Sequence, residues 1–132
     1  MYDTVRLAGE LALLRSVFAD LEVRDDGGRT WVRLPSYAVP PGWSTTKVEI
    51  VFCFPDEVGQ PPYGFHVRPP LTLAGGATAG SYAPTAATPW GSDFAFFSWS
   101  PEDPWTPRTD VRAGPNLLNF ALSFTSRLAE AS

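Results

Sequence analysis

The stretch Phe94–Pro107 constrains the fold more than any other part of the chain. It reads Phe-Ala-Phe-Phe-Ser-Trp-Ser-Pro-Glu-Asp-Pro-Trp-Thr-Pro, with five aromatics and three prolines in fourteen residues. Its first positions have the aromatic density of a strand end packed into a core. From Ser98 onward proline fixes φ and removes backbone donors, so neither a helix nor a sheet ladder can continue. A strand that breaks into a proline-stiffened loop holds polar side chains rigidly at a surface. Ser98, Ser100, Glu102 and Asp103 are therefore the first candidates for chemistry. The same composition also suits a lid over a small core.

Size and charge narrow the function classes. The 132 residues suit one domain, 1–132, with a single core. An apolar content of 44% excludes a disordered chain. A net charge of −4 argues against a nucleic-acid-binding surface. No apolar run reaches the roughly 18 residues of a membrane helix. Asp3 and Glu10 interrupt any signal-like N-terminus, so a cytoplasmic, membrane-free protein is expected. Cys53 is the single cysteine and His66 the single histidine, which leaves no internal disulfide and too few ligands for zinc. No metal and no cofactor are expected. A Ser-His-Asp hydrolase would have to use His66.

In chain order, Asp3 or Thr4 can cap a first helix. Leu7, Leu11, Leu14, Phe18 and Leu21 make one apolar stripe over about sixteen residues, with Arg6, Glu10 and Arg15 off it. Glu22–Arg24 reads as a short strand, Asp25-Asp26-Gly27-Gly28 as a hairpin turn, and Arg29–Leu34 as a return strand that Pro35 stops. Lys47–Phe54 alternates strongly, with Val48, Ile50, Phe52 and Phe54 on one face. Cys53, on the other face, reads as an inert thiol. Tyr63–Val67 is a fourth strand carrying His66. Leu71–Pro89 reads as a long uncharged loop and Arg108–Pro115 as a second connection. Asn116 can cap a last helix over about Leu117–Glu130. The expected fold is α+β: a four-stranded antiparallel meander covered by an N-terminal helix and one C-terminal helix.

Several motifs in this order resemble the ubiquitin-conjugating (UBC) superfamily, in particular its divergent bacterial branches. They are Phe54-Pro55 at the end of the third strand, the pair Pro61-Pro62 before Tyr63-Gly64-Phe65, and Trp105-Thr106-Pro107 before the Leu117-Leu118 helix. Trp90, Phe97-Ser98 and the later Trp-x-Pro are similar to some bacterial members. The resemblance implies a UBC-like fold with an active-site loop after the fourth strand. It also implies a place in a bacterial ubiquitin-like conjugation pathway. The partners would be a ubiquitin-like protein, its activating enzyme and a target-protein lysine.

The chain departs from the family where the chemistry lies. The family's His-Pro-Asn tripeptide has no counterpart in Leu71–Pro89, and Val58-Gly59 stands where Tyr-Pro is usual. The position of the family's cysteine falls at Phe97-Ser98, and Cys53 lies on the third strand, away from that loop. Two readings follow. In one, the protein is a transferase that accepts the ubiquitin-like protein as an oxyester on Ser98, or secondarily Ser100. Asp93, Glu102, Asp103 or Asp110 would serve as base or orient the lysine. In the other, it is a catalytically inactive UBC-like scaffold that binds the activating enzyme or the ubiquitin-like protein. A third possibility is an unrelated small binding module that uses Trp31, Trp43, Trp90, Trp99 and Trp105. The basic residues are nine arginines and Lys47 alone, a composition that suits a carrier of activated acyl groups as well as a bias towards arginine.

Overall fold

A computed structural model describes residues 2–43, 45–68, 83–101 and 104–131. The elements are α1 (Thr4–Arg15), β1 (Glu22–Asp26), β2 (Arg29–Ala38), β3 (Lys47–Cys53), β4 (Phe65–Arg68), β5 (Ala83–Thr88), β6 (Gly91–Phe97), α2 (Leu117–Leu122) and α3 (Phe124–Ala131). The fold is α+β. One antiparallel sheet has the order β1-β2-β3-β4-β6-β5, and the helices lie against one face.

The sheet has six strands where four were expected. The two additional strands come from the segment taken for a loop and from the aromatic stretch. β5 is rich in Ala and Thr and contains Pro84, so it carries no apolar alternation to read. Its place at the sheet edge is where proline is tolerated. β6 sits inside the sheet between β4 and β5, with Phe65 opposite Phe97 and Ala86 opposite Phe94. The stretch expected to enter a loop thus first completes the sheet, and regular structure ends at Ser98.

Pro35 does not stop β2. The strand runs on to Ala38 through a bulge: Leu34 pairs with Ile50 and Tyr37 with Val48, so two residues oppose one. Pro35 falls in that bulge, where its missing N–H breaks no ladder bond. The β1–β2 turn narrows to Gly27 and Gly28, at φ of 63° and 79°, the geometry of a two-residue hairpin turn that only glycine adopts cheaply. β4 begins at Phe65 rather than Tyr63.

The core forms where the inward faces meet the helices. Val32, Leu34, Ile50, Phe52, Phe65, Val67 and Phe97 are buried from the sheet, and Leu14, Leu117, Phe120, Phe124 and Leu128 from the helices. Phe124 is its hub. Its ring stacks on Phe65 at 4.2 Å and meets Phe120 and Phe52 edge-on at 4.9 and 5.5 Å.

Asp3 caps α1 by accepting from the Arg6 N–H at 3.1 Å. The helix is shorter than the apolar stripe implies. It ends at Arg15, and Phe18 packs on Tyr37 from the following turn. Glu10 is not on the solvent side as its spacing suggested; it is fully buried. Its Oε1 accepts from Leu117 N at 3.0 Å and its Oε2 from the Tyr2 hydroxyl at 3.0 Å. Arg6 lies beside it at 3.5 Å and also donates to the carbonyls of Arg108 and Pro115. One carboxylate therefore ties α1 to the start of α2, where unpaired N–H groups favour a negative charge.

The last helix is interrupted at Ser123. Its hydroxyl donates to Phe120 O at 2.6 Å, while the Tyr37 hydroxyl donates to Ala121 O at 2.7 Å. Side chains that compete for helix carbonyls loosen the ladder there. Asn116 caps α2 as expected, accepting from Asn119 N at 2.8 Å.

On the opposite face the sheet curls. An ion-pair ladder crosses five strands, from Glu22 to Arg33, Glu49, Arg68 and Asp93. Arg24 of β1 lies 4.9 Å from the Trp90 ring centroid and donates to Pro89 O at 2.7 Å. The two ends of the sheet thus meet across its outer face. No helix among the described residues is long and apolar enough to cross a membrane.

Candidate functional site

The segment after β6 is fixed from both sides. Gly64 N donates to Trp99 O at 2.7 Å. Gly64 has φ +75°, and a Cβ there would lie 2.2 Å from Phe96 Cζ, so glycine alone permits this approach. From the helices, Arg127 Nε donates to Ser98 O at 3.0 Å, with its guanidinium 5.1 Å from the Phe97 centroid. The Trp99 indole N–H donates to Ser123 Oγ at 2.8 Å. The hydroxyl that interrupts the last helix is thus also the anchor of Trp99.

Between this segment and the helices lies a cleft of about 410 Å³. Trp99, Ser100 and Trp105 line it from the segment, and Asn119, Ser123 and Ser126 from the helices. Pro101, Pro104 and Pro115 stiffen its walls. The Trp105 indole nitrogen is buried and has no hydrogen-bond partner among the described residues.

The residues singled out in the sequence separate here. Ser100 is exposed and lines the cleft. Ser98 is half-buried at the end of β6 and contributes its carbonyl to Arg127. Asp103 and Glu102 lie outside the described residues. Among the described residues, no imidazole or carboxylate hydrogen-bonds either serine hydroxyl.

The remaining candidate groups are engaged elsewhere. Phe65 and Val67 point into the core, so His66 between them faces the outer side of the sheet. Its ring lies between Trp31 and Phe96, at 5.8 and 4.9 Å, with Nδ1 3.3 Å from Val51 O. Burial holds its pKa below the usual histidine value. Asp93 pairs with Arg68 at 2.9 Å, which keeps its carboxyl below the ordinary range. It stands at the other end of β6 from Ser98, about 16 Å away along an extended strand. Asp110 accepts from Arg112 N at 3.0 Å within its own turn.

Cys53 faces outward on β3 beside Arg29 and Asp56, away from the cleft. Burial pushes its pKa up to about 11, against the pull of Arg29, so it is a thiol at neutral pH. Among the described residues no cluster of His, Cys, Asp and Glu could hold a metal ion.

The sequence reading missed the helix wall of the cleft. Ser123 and Ser126, three apart on the last helix, were the available signal: two small polar residues one turn apart beside a buried apolar face. Gly64 was visible only as part of the Tyr-Gly-Phe motif. Compared with protein-family models, curated proteins and solved structures, the chain matches none.

Proposed function

We propose that this domain is a UBC-like scaffold of a bacterial ubiquitin-like conjugation pathway. It binds the ubiquitin-like protein, or the activating enzyme that delivers it, without taking the acyl group. The pathway part of the reading is supported by the motif resemblance and by the order of an N-terminal helix, an antiparallel meander and a C-terminal helical segment. The observation that carries the binding part is the cleft. It has rigid walls made by Trp99, Trp105 and prolines, and an exposed hydroxyl at its mouth. The thiol and the imidazole lie on other surfaces, and burial keeps the Cys53 thiol protonated at neutral pH.

A second reading keeps the acyl-carrier role, with Ser100 rather than Ser98 as the oxyester site. The exposure of Ser100 in the cleft favours it. A hydroxyl of this kind needs a base to attack an acyl group at a useful rate.

The test is complex formation with the activating enzyme and the ubiquitin-like protein encoded in the same operon, followed by calorimetry. Ser126→Arg places a charge in the cleft from an exposed helix position and leaves the core untouched. The expected result is a saturable complex with the wild type that Ser126→Arg weakens about tenfold or more. Wild-type and Ser126→Arg proteins that bind equally well would remove the cleft from the account. No complex at all would remove the pathway.

A further inference from the structure

We propose that the last helix is a two-state element. Its interruption at Ser123 is locked by the Tyr37 hydroxyl and read out at the cleft through Trp99. Three observations lead to it.

First, nothing in the local sequence demands a break. Residues 117–131 contain no proline and no glycine, and their apolar spacing suits one continuous helix. A sharp interruption without either residue comes from a side chain inserted into the helix ladder. Here that side chain comes from the sheet. Tyr37, just past the β2 bulge, is buried and packs on Phe18 and Phe124. Its hydroxyl donates to Ala121 O at 2.7 Å and lies 3.2 Å from Thr125 Oγ1. The Ser123 hydroxyl is a second competitor, donating to Phe120 O at 2.6 Å. In a continuous helix these two carbonyls would accept from the N–H groups of Phe124 and Thr125. Ser126 N turns instead to Ser123 O, three residues back, at 3.0 Å.

Second, the continuous form is close at hand. Ser123 already has right-handed helical torsions, φ −73° and ψ −12°. About 30° in ψ separates it from a regular helical residue. Phe124 and Leu128 are fully buried, and so small a rotation closes the ladder without taking α3 out of the core.

Third, the break is tied to the cleft. Ser123 Oγ, which donates into the helix, also accepts from the Trp99 indole N–H at 2.8 Å. Trp99, Ser123 and Ser126 all line the cleft. An occupant that draws Trp99 off Ser123 weakens one of the two supports of the broken form, and the helix shifts towards the continuous one. Every contact in this device lies within the chain, so it does not depend on the pathway proposed above.

The experiment is amide hydrogen exchange by NMR on the whole ¹⁵N-labelled chain, compared between wild type and Tyr37→Phe. The substitution keeps the ring and removes only the hydroxyl. Exchange is read relative to the Phe120 amide, which donates to Asn116 O inside α2, so a change in overall stability cancels. The expected result is about tenfold slower relative exchange at Thr125 in Tyr37→Phe, as its N–H takes over Ala121 O. The Trp99 indole resonance should shift with it.

A hydroxyl that merely braced the helix would give the opposite sign, with faster exchange across α3. Unchanged or faster exchange at Thr125 would therefore overturn the proposal. So would a Trp99 indole that stays in place while the ladder closes. If Tyr37→Phe does not fold, Ser123→Ala decides by the same reading at the Phe124 amide. Slower exchange there supports the two-state helix, and unchanged or faster exchange overturns it.

Discussion

At the scale of single residues, three positions carry more than their types announce. Glu10 is a fully buried carboxylate shared by Tyr2, Arg6 and the first N–H of α2. Removing one member of a buried charged network leaves the others uncompensated. Glu10→Ala should therefore cost about 3 to 5 kcal/mol in urea unfolding. Glu10→Gln, which keeps an acceptor for Leu117 N, should cost clearly less. Gly64→Ala forces a Cβ onto Phe96 at a positive φ, so a loss of about 2 kcal/mol or more is expected, together with broadening of the Trp99 indole resonance. His66 gives the chain its first acid sensitivity. Its folded pKa lies below the ordinary 6.5, so the unfolded chain binds the proton more readily. Its contribution is complete above pH 6.5 and is lost as pH falls through the folded value. Unfolding free energies measured across that window should fall for the wild type and stay flat for His66→Phe. Glu49, held down chiefly by Arg68 and then by Arg33, adds a further loss only below about pH 4.3. Of these three residues, the sequence singled out only His66. Glu10 sits off the apolar stripe by spacing, and its burial depends on partners that include the Leu117 N–H, over a hundred positions later.

At the scale of elements, the strands with strong alternation were legible and the others were not. Val48, Ile50, Phe52 and Phe54 announced β3 and its buried face. β5 could not be read, because a strand of Ala, Thr and Pro carries no apolar alternation, and its place at the sheet edge follows from pairing with β6. Pro35 misled for a related reason: proline ends a regular ladder, but a bulge removes the N–H demand that it cannot meet. The cleft was half legible. The proline content of 98–107 pointed to a segment without helix or strand, and the described residues after Phe97 carry neither until α2, while Trp99 and Trp105 pack against the core. The opposing wall depends on where α2 gives way to α3. Ser123 joins the two halves, donating to Phe120 O and accepting from Trp99 Nε1. Ser123→Ala should cost about 1 to 3 kcal/mol, since it leaves the Trp99 indole N–H without its acceptor. The indole resonance of Trp99 should move while that of Trp31 does not.

At the scale of the whole molecule, the two faces of the sheet have different work. The inner face is closed by Phe52, Phe65, Phe97 and the helices around Phe124. The outer face is spanned by ion pairs, and Arg24 and Trp90 bring the ends of the curl together. Cys53 and His66 belong to that outer face, and the cleft opens where the end of β6 meets α2 and α3. Cys53 and His66 therefore do not share a surface with the exposed Ser100, and the scaffold reading proposed above builds on that separation. The proposed scaffold role is tested most directly by the intact mass of the protein after incubation with ATP, a candidate activating enzyme and its ubiquitin-like protein. The account predicts an unchanged mass together with a non-covalent complex. A mass raised by one ubiquitin-like protein, labile to mild base, resistant to reductant and absent in Ser100→Ala or Ser98→Ala, would contradict it and establish an oxyester carrier.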